Sequence, residues 1–88
     1  MTLTPLQYDI LDSLYFVESF HHILEESDAP ETVVADELKN MIHKKWVQVM
    51  EFVPGRNEYV PTLYYDADNL RTYFYLATKE GLLLHNSR

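Results

Sequence analysis

Residues 28–53 read DAPETVVADELKNMIHKKWVQVMEFV. Val34, Leu38, Met41 and Ile42 recur at spacings of three and four, the period of a helix that buries one stripe. From Trp46 the period becomes two: Trp46, Gln48, Met50 and Phe52 alternate with Val47, Val49, Glu51 and Val53, most of them β-branched or aromatic. A change of period inside an uninterrupted stretch marks a helix that runs directly into a strand. Asp28 with Glu31 reads as an acidic capping box, Pro30 is tolerated in the first turn, and the helix is expected to run to about Lys45.

Upstream, Leu3-Thr4-Pro5-Leu6-Gln7-Tyr8 is a helix start. Thr4 can cap the Gln7 amide while Gln7 reaches back, Pro5 takes the first helical position, and Leu3 can staple onto Tyr8. Leu6, Ile10, Leu11, Leu14 and Val17 form the inner face of this helix. No Gly, Pro or Asn interrupts residues 6–26, so one long helix and two shorter ones are both open. We favour a bend near Glu18, with Ser19 capping a second helix, because Phe16 and Phe20 fall off the first stripe and need another surface to bury them.

Downstream, Pro54-Gly55-Arg56-Asn57 signals a turn after a strand over 46–53. Residues 59–65 read as a second strand, weakened by Pro61 and therefore suited to an edge. Asp66-Ala67-Asp68-Asn69 is a polar turn, and Thr72–Thr78 the clearest strand. Thr78-Lys79-Glu80-Gly81 opens a short final helix or turn. The expected core is Ile10, Leu14, Leu38, Ile42, Trp46, Val49 and Leu76 in a single domain over 1–88.

Charge divides the chain. The net charge is −7, but residues 1–38 carry nine acids and no Lys or Arg, whereas residues 39–88 carry five acids and seven bases, a local balance of +2. Only the second part can face a polyanion without repulsion. The absence of cysteine excludes a disulfide scaffold and Cys-based zinc modules, and no apolar run approaches the ~20 residues that cross a bilayer. The expectation is a soluble, cytoplasmic protein with no membrane contact.

The order of helices, strand, long hairpin and strand, with three stretches in particular, resembles the winged helix-turn-helix superfamily in the style of the MarR and PadR regulators. LTPLQYDILDSLY (3–15) resembles the first helix of that family, and TVVADELKNMIHKKWVQV (32–49) resembles a recognition helix leading into the first wing strand. YFYLATKEGLLL (73–84) resembles the second wing strand with its terminal Thr-x-x-Gly. The resemblance implies an α+β winged helix-turn-helix of three helices plus an antiparallel wing hairpin, and a transcription regulator that binds duplex DNA as a homodimer. Where such proteins usually place Gly before the first wing strand, this chain has Lys45-Trp46.

On a recognition helix the candidates for DNA contact are Lys39, Asn40, His43 and Lys44, with Arg56 and Arg71 expected at the wing. Asp28, Glu31, Asp36 and Glu37 oppose them at the start of the same helix, which would enter the major groove. The histidines have no shared spacing, so they read as ordinary surface or half-buried residues and no metal site is expected. Asp66–Asn69 fails the calcium-loop pattern at Leu70, Arg71 and Ala77. With no nucleophile beside a base, no Gly-rich phosphate loop and no His-Glu-x-x-His, the reading is non-enzymatic, without catalytic residues or cofactor.

The seven tyrosines are the least ordinary feature. A sheet covered on one side by helices can bury one aromatic face, and the other should meet something. The expected dimer contacts are Leu3, Leu6, Tyr8 and Tyr15 on the first helix and Tyr64, Tyr73 and Tyr75 directed outward from the strands. Two readings of function stand side by side: a DNA-binding regulator, carried by resemblance, and an acidic protein-interaction module that leaves DNA alone, carried by charge.

Overall fold

The computed structural model describes residues 2–87. In chain order it comprises α1 (Pro5–Asp12), β1 (Glu18–Ser19), α2 (Phe20–Glu26), α3 (Glu31–His43), β2 (Val47–Val53), β3 (Glu58–Pro61), a 3₁₀ turn (Leu70–Thr72), β4 (Phe74–Ala77) and α4 (Lys79–His85). The architecture is α+β, with four α-helices and one antiparallel sheet in the order β1-β4-β2-β3. The expected three helices and wing hairpin therefore undercount both layers. α4 is a helix in its own right because the Thr78 hydroxyl caps it, accepting the Gly81 amide at 3.0 Å.

The bend between the first two helices is present. The Ser13 hydroxyl donates to the Ile10 carbonyl at 2.7 Å, diverting a helical acceptor, and α1 stops at Asp12. Ser19 then caps α2 by accepting the His22 amide at 3.1 Å. At the other end of α1 the Thr4–Gln7 capping box closes reciprocally, with bonds of 2.9 and 3.1 Å. Phe20 is buried by this bend, but Phe16 lies in the turn before β1 and remains 78% exposed, contrary to expectation.

The α3 N-terminus differs from the sequence reading. Its cap residue is Pro30, which has no side-chain cap bond, so Asp28 and Glu31 do not form a box. Its C-terminus is closed by a left-handed residue that is not glycine: Lys45 has φ 66°. The Lys45 amide donates to Ile42 O and the Trp46 amide to Met41 O, both at 3.0 Å, the paired bonds of a Schellman motif with lysine where glycine is usual. Trp46, 5% exposed, enters the core beside Met41 and carries the chain straight into β2.

The strands are shorter than the periodicity suggested. β3 ends at Pro61, at the sheet edge, where the missing amide costs no ladder bond. β4 begins at Phe74 because residues 70–72 are taken by the 3₁₀ turn. One face of the sheet joins the helices: Val47, Val49, Tyr75 and Ala77 pack with Ile10, Leu14, Val34 and Leu38. Two assignments are exchanged relative to expectation. Tyr75, expected outward, is 0% exposed, and Leu76, expected in the core, lies on the opposite face. Burying Tyr75 is tolerable because its hydroxyl donates to Leu70 O at 2.7 Å, and desolvation, reinforced by Tyr65 and Tyr73, pushes its ionisation well above the ordinary tyrosine range. Ile42 is half-buried at the core margin.

Candidate interaction surfaces

Three surfaces carry the polar and aromatic side chains that could meet a partner. The first is the exposed side of α3. Helical spacing brings Asp36, Lys39, Asn40 and His43 together there, but the first three are already engaged. Lys39 Nζ lies 3.7 Å from Asp36 Oδ1. Glu37 Oε2 accepts from Asn40 Nδ2 at 2.9 Å and from Gln7 Nε2 at 3.1 Å, so the one amide suited to an adenine edge is held by a carboxylate that also ties α3 to α1. His43 is exposed, and Lys44 Nζ sits 4.9 Å above the Trp46 ring.

The two arginines do not share a site. Arg56 lies on the β2–β3 turn, 2.8 Å from Glu58 Oε1. Arg71, expected with it, instead reaches the first turn of α3, where its guanidinium lies 2.6 Å from Glu31 Oε1 and 5.5 Å from the Phe20 ring. Both ion pairs are exposed, so each is worth at most about 1 kcal/mol. Their effect on the field is larger than on stability, because each neutralises a cation that a phosphate would need.

The second surface joins α1 to α4. His85, read from sequence as ordinary, is 6% exposed. Its ring stacks on Tyr8 at 4.3 Å and meets Tyr15 edge-on at 5.4 Å. Nε2 lies 3.0 Å from Asp12 Oδ1, and Nδ1 lies 3.0 Å from the Tyr15 hydroxyl and 3.1 Å from Asn86 Oδ1. Tyr15 also donates to Asn86 Oδ1 at 2.9 Å. Tyr8 and Asp12 stand at i and i+4 on α1, a shared face that spacing makes legible, with Tyr15 just past the helix end; the histidine that joins them, some seventy residues on, is not legible. The arrangement fastens α4 across α1. Alongside runs an open groove of about 320 Å³ lined by Asp9, Asp12, Glu18, Glu26 and His22. Two of the other histidines make local pairs four residues apart, His21 with Glu25 at 3.2 Å and His22 with Glu18 at 3.8 Å.

The third surface is the sheet face turned away from the helices. Phe52 pairs with Tyr59, Met50 with Pro61 and with Phe74, Gln48 with Leu76, and Phe74 with Ser19. Directly paired residues of antiparallel strands share a face, so these eight side chains lie together. None is charged. Phe52 and Tyr59 are 5.0 Å apart and Tyr59 and Phe74 4.9 Å, a continuous row of three rings. Phe52 is 39% and Tyr59 43% exposed, while Met50, paired with Pro61 and Phe74, is buried outside the core that the helices cover.

The residues expected at a dimer contact are mostly engaged within the chain. Leu3 and Leu6 pack against the core, Tyr8 stacks on His85, and Tyr73 meets Tyr65 at 6.1 Å while packing on the core. Tyr75 is buried, and Tyr15 is tied to His85 and Asn86. Tyr64, 87% exposed in the loop after β3 next to Leu63 at 92%, is the most exposed of them, and Tyr15 remains 44% exposed despite its hydrogen bonds. Phe52, Tyr59 and Phe74 are not among the expected dimer contacts, although strand register aligns them on one face. Compared with models of known families, with curated proteins and with solved structures, the chain matches none.

Proposed function

We propose that this chain is a winged helix-turn-helix used as a protein-interaction module, not as a reader of duplex DNA. The element order supports the winged reading: helix, short strand, two helices, then a hairpin, with β4 between β1 and β2. The observation that carries the functional reading is the pairing of Lys39, Arg56 and Arg71 with carboxylates, together with the capture of Asn40 by Glu37. DNA affinity is largely phosphate contact and counterion release, and a docking face whose cations are compensated forfeits it. Titration with random duplex at low salt tests this. No binding is expected at ~10 μM protein, where non-specific DNA-binding proteins already bind; micromolar affinity with a steep salt dependence would overturn the reading. Charge reversal, Asp36→Lys with Glu37→Lys, should create duplex affinity with a salt slope of about 2, one unit for each added phosphate contact.

One observation favours the DNA reading. Lys44 and Lys45 lie at the end of α3, and the Thr78 hydroxyl donates to Lys45 O at 2.7 Å, which brings neighbouring Lys79 to the same end of the molecule. If duplex binds there, Lys44→Ala with Lys79→Ala should abolish the interaction while charge reversal at Asp36 leaves it unchanged.

A further inference from the structure

We infer that the uncharged outer face of the sheet, centred on Phe52, Tyr59 and Phe74, pairs with the same face of a second copy of this chain. The inference rests on the reading of the chain as a protein-interaction module and names its partner.

Three observations converge on self-pairing. The first is chemical: 24% of the chain is Asp, Glu, Lys or Arg, yet the eight side chains that register places on this face include none of them. A basic or acidic partner finds no charge to recognise there. An uncharged aromatic surface matches another of its kind, and a two-fold axis through the ring row sets each face against its own image.

The second observation concerns charge elsewhere. All of the excess acid lies in residues 1–38, at −9, and that part contributes only Ser19 to the face. The strands β2, β3 and β4 belong to the part with a balance of +2. Two copies meeting through α1 or α2 would bring Asp9, Asp12, Glu25 and Glu26 against their own images. Meeting through the sheet, they keep the thickness of two sheets, about 10 Å face to face, plus the helical layers between the acidic segments. That separation is at or beyond the ~8–10 Å over which salt screens exposed charge.

The third observation is the exposure pattern. Met50 is 7% exposed although it is not part of the helix-covered core, and its strand partners are Phe74 and Pro61, so this face already forms a small second apolar layer, with Phe52 and Tyr59 open to solvent. The four strands hold 2, 7, 4 and 4 residues, and at ~3.3 Å per residue and ~4.8 Å between strands they present roughly 270 Å² in plan. A standard stable interface buries ~800 Å² per partner. The pairing is therefore expected to be reversible and concentration-dependent.

Sedimentation or light scattering of the full chain from roughly 5 to 200 μM should show a mass rising towards twice the 10.4 kDa of one chain. Phe52→Lys and, separately, Tyr59→Lys place a charge in the ring row at positions outside the core and should each return the protein to a monomer with an unchanged circular dichroism spectrum. Leu83→Lys, at a 62% exposed site on α4, should dimerise like the wild type. Should either ring variant misfold, dilution of wild-type protein followed by aromatic NMR gives a second readout, with shifts expected at Phe52, Tyr59 and Phe74. A wild-type monomer across the whole range, shifts confined to α1, or a dimer indifferent to both ring variants would overturn the inference. A monomer that also ignores duplex DNA removes the second copy and leaves the interaction reading intact; a dimer that loses its mass in the ring variants but binds duplex removes that reading and keeps this face.

Discussion

A Cβ on Gly81 would stand 2.2 Å from the carbonyl oxygen of Trp46 and 3.0 Å from Leu11 Cδ2. The first turn of α4 thus rests directly on the junction between α3 and β2, and the Thr78 amide bonds the same carbonyl at 3.0 Å. Alanine in place of helical glycine ordinarily gains up to about 1 kcal/mol. Here overpacking against backbone, which cannot rotate aside, costs about 3 kcal/mol and outweighs that gain. Gly81→Ala should therefore destabilise by about 2 kcal/mol, lowering the melting temperature by roughly 10 °C. Calorimetry showing a more stable variant would mean that α4 does not sit on Trp46.

Lys45 invites the opposite substitution. A non-glycine residue at φ 66° carries about 1–2 kcal/mol of steric cost, while glycine there adds ~0.4–1 kcal/mol of unfolded-chain entropy. Lys45→Gly should stabilise by about 0.5–1 kcal/mol, and Lys45→Val, β-branched in a left-handed position, should destabilise by more than ~1 kcal/mol. Urea midpoints at unchanged slope would check both.

His85 separates packing from polarity. His85→Phe keeps a ring against Tyr8 but loses the bonds to Asp12, Tyr15 and Asn86. Because the Asp12 side chain is 61% exposed, water replaces its lost partner, and the cost should be about 1 kcal/mol. His85→Ala also empties a buried site and should cost about 2–3 kcal/mol. Equal losses for the two variants in chemical denaturation would show that the ring contributes only its hydrogen bonds.

Asp66 supplies a pH dependence. The Asp68 amide and then the Asn69 side chain bond its carboxylate, holding its pKa below the ordinary 3.8. With the folded value depressed, its contribution is complete above the unfolded value and is lost as pH falls through the folded one. The stability difference between wild type and Asp66→Ala should be widest above the ordinary carboxylate range and close only as pH falls below that range, through the depressed folded value. A gap that persists in acid would place the effect in the loop backbone instead of the carboxylate.

Local chemistry announced much of this molecule. The Thr4–Gln7 box, the Ser19 cap and the change of period at Trp46 each act over three or four residues, and each appears where the sequence puts it. The same reach explains the failure at the N-cap of α3: Asp28 and Glu31 match a box by residue preference alone, which tertiary context overrides.

What the sequence could not determine is which side of the sheet the helices cover. From Tyr73 to Ala77 both alternating sets are apolar, so period two describes two faces without ranking them. The choice fell to contacts that period two does not encode. Leu70 O offers the Tyr75 hydroxyl a buried acceptor, and Leu14 O takes the Ala77 amide, which turns Tyr75 inward and leaves Phe74 and Leu76 on the outer face. His85 finding Asp12, and Arg71 finding Glu31 instead of a phosphate, are decisions of the same kind. Residue type dictates what each group needs; only the closed fold determines which partner comes within hydrogen-bonding distance.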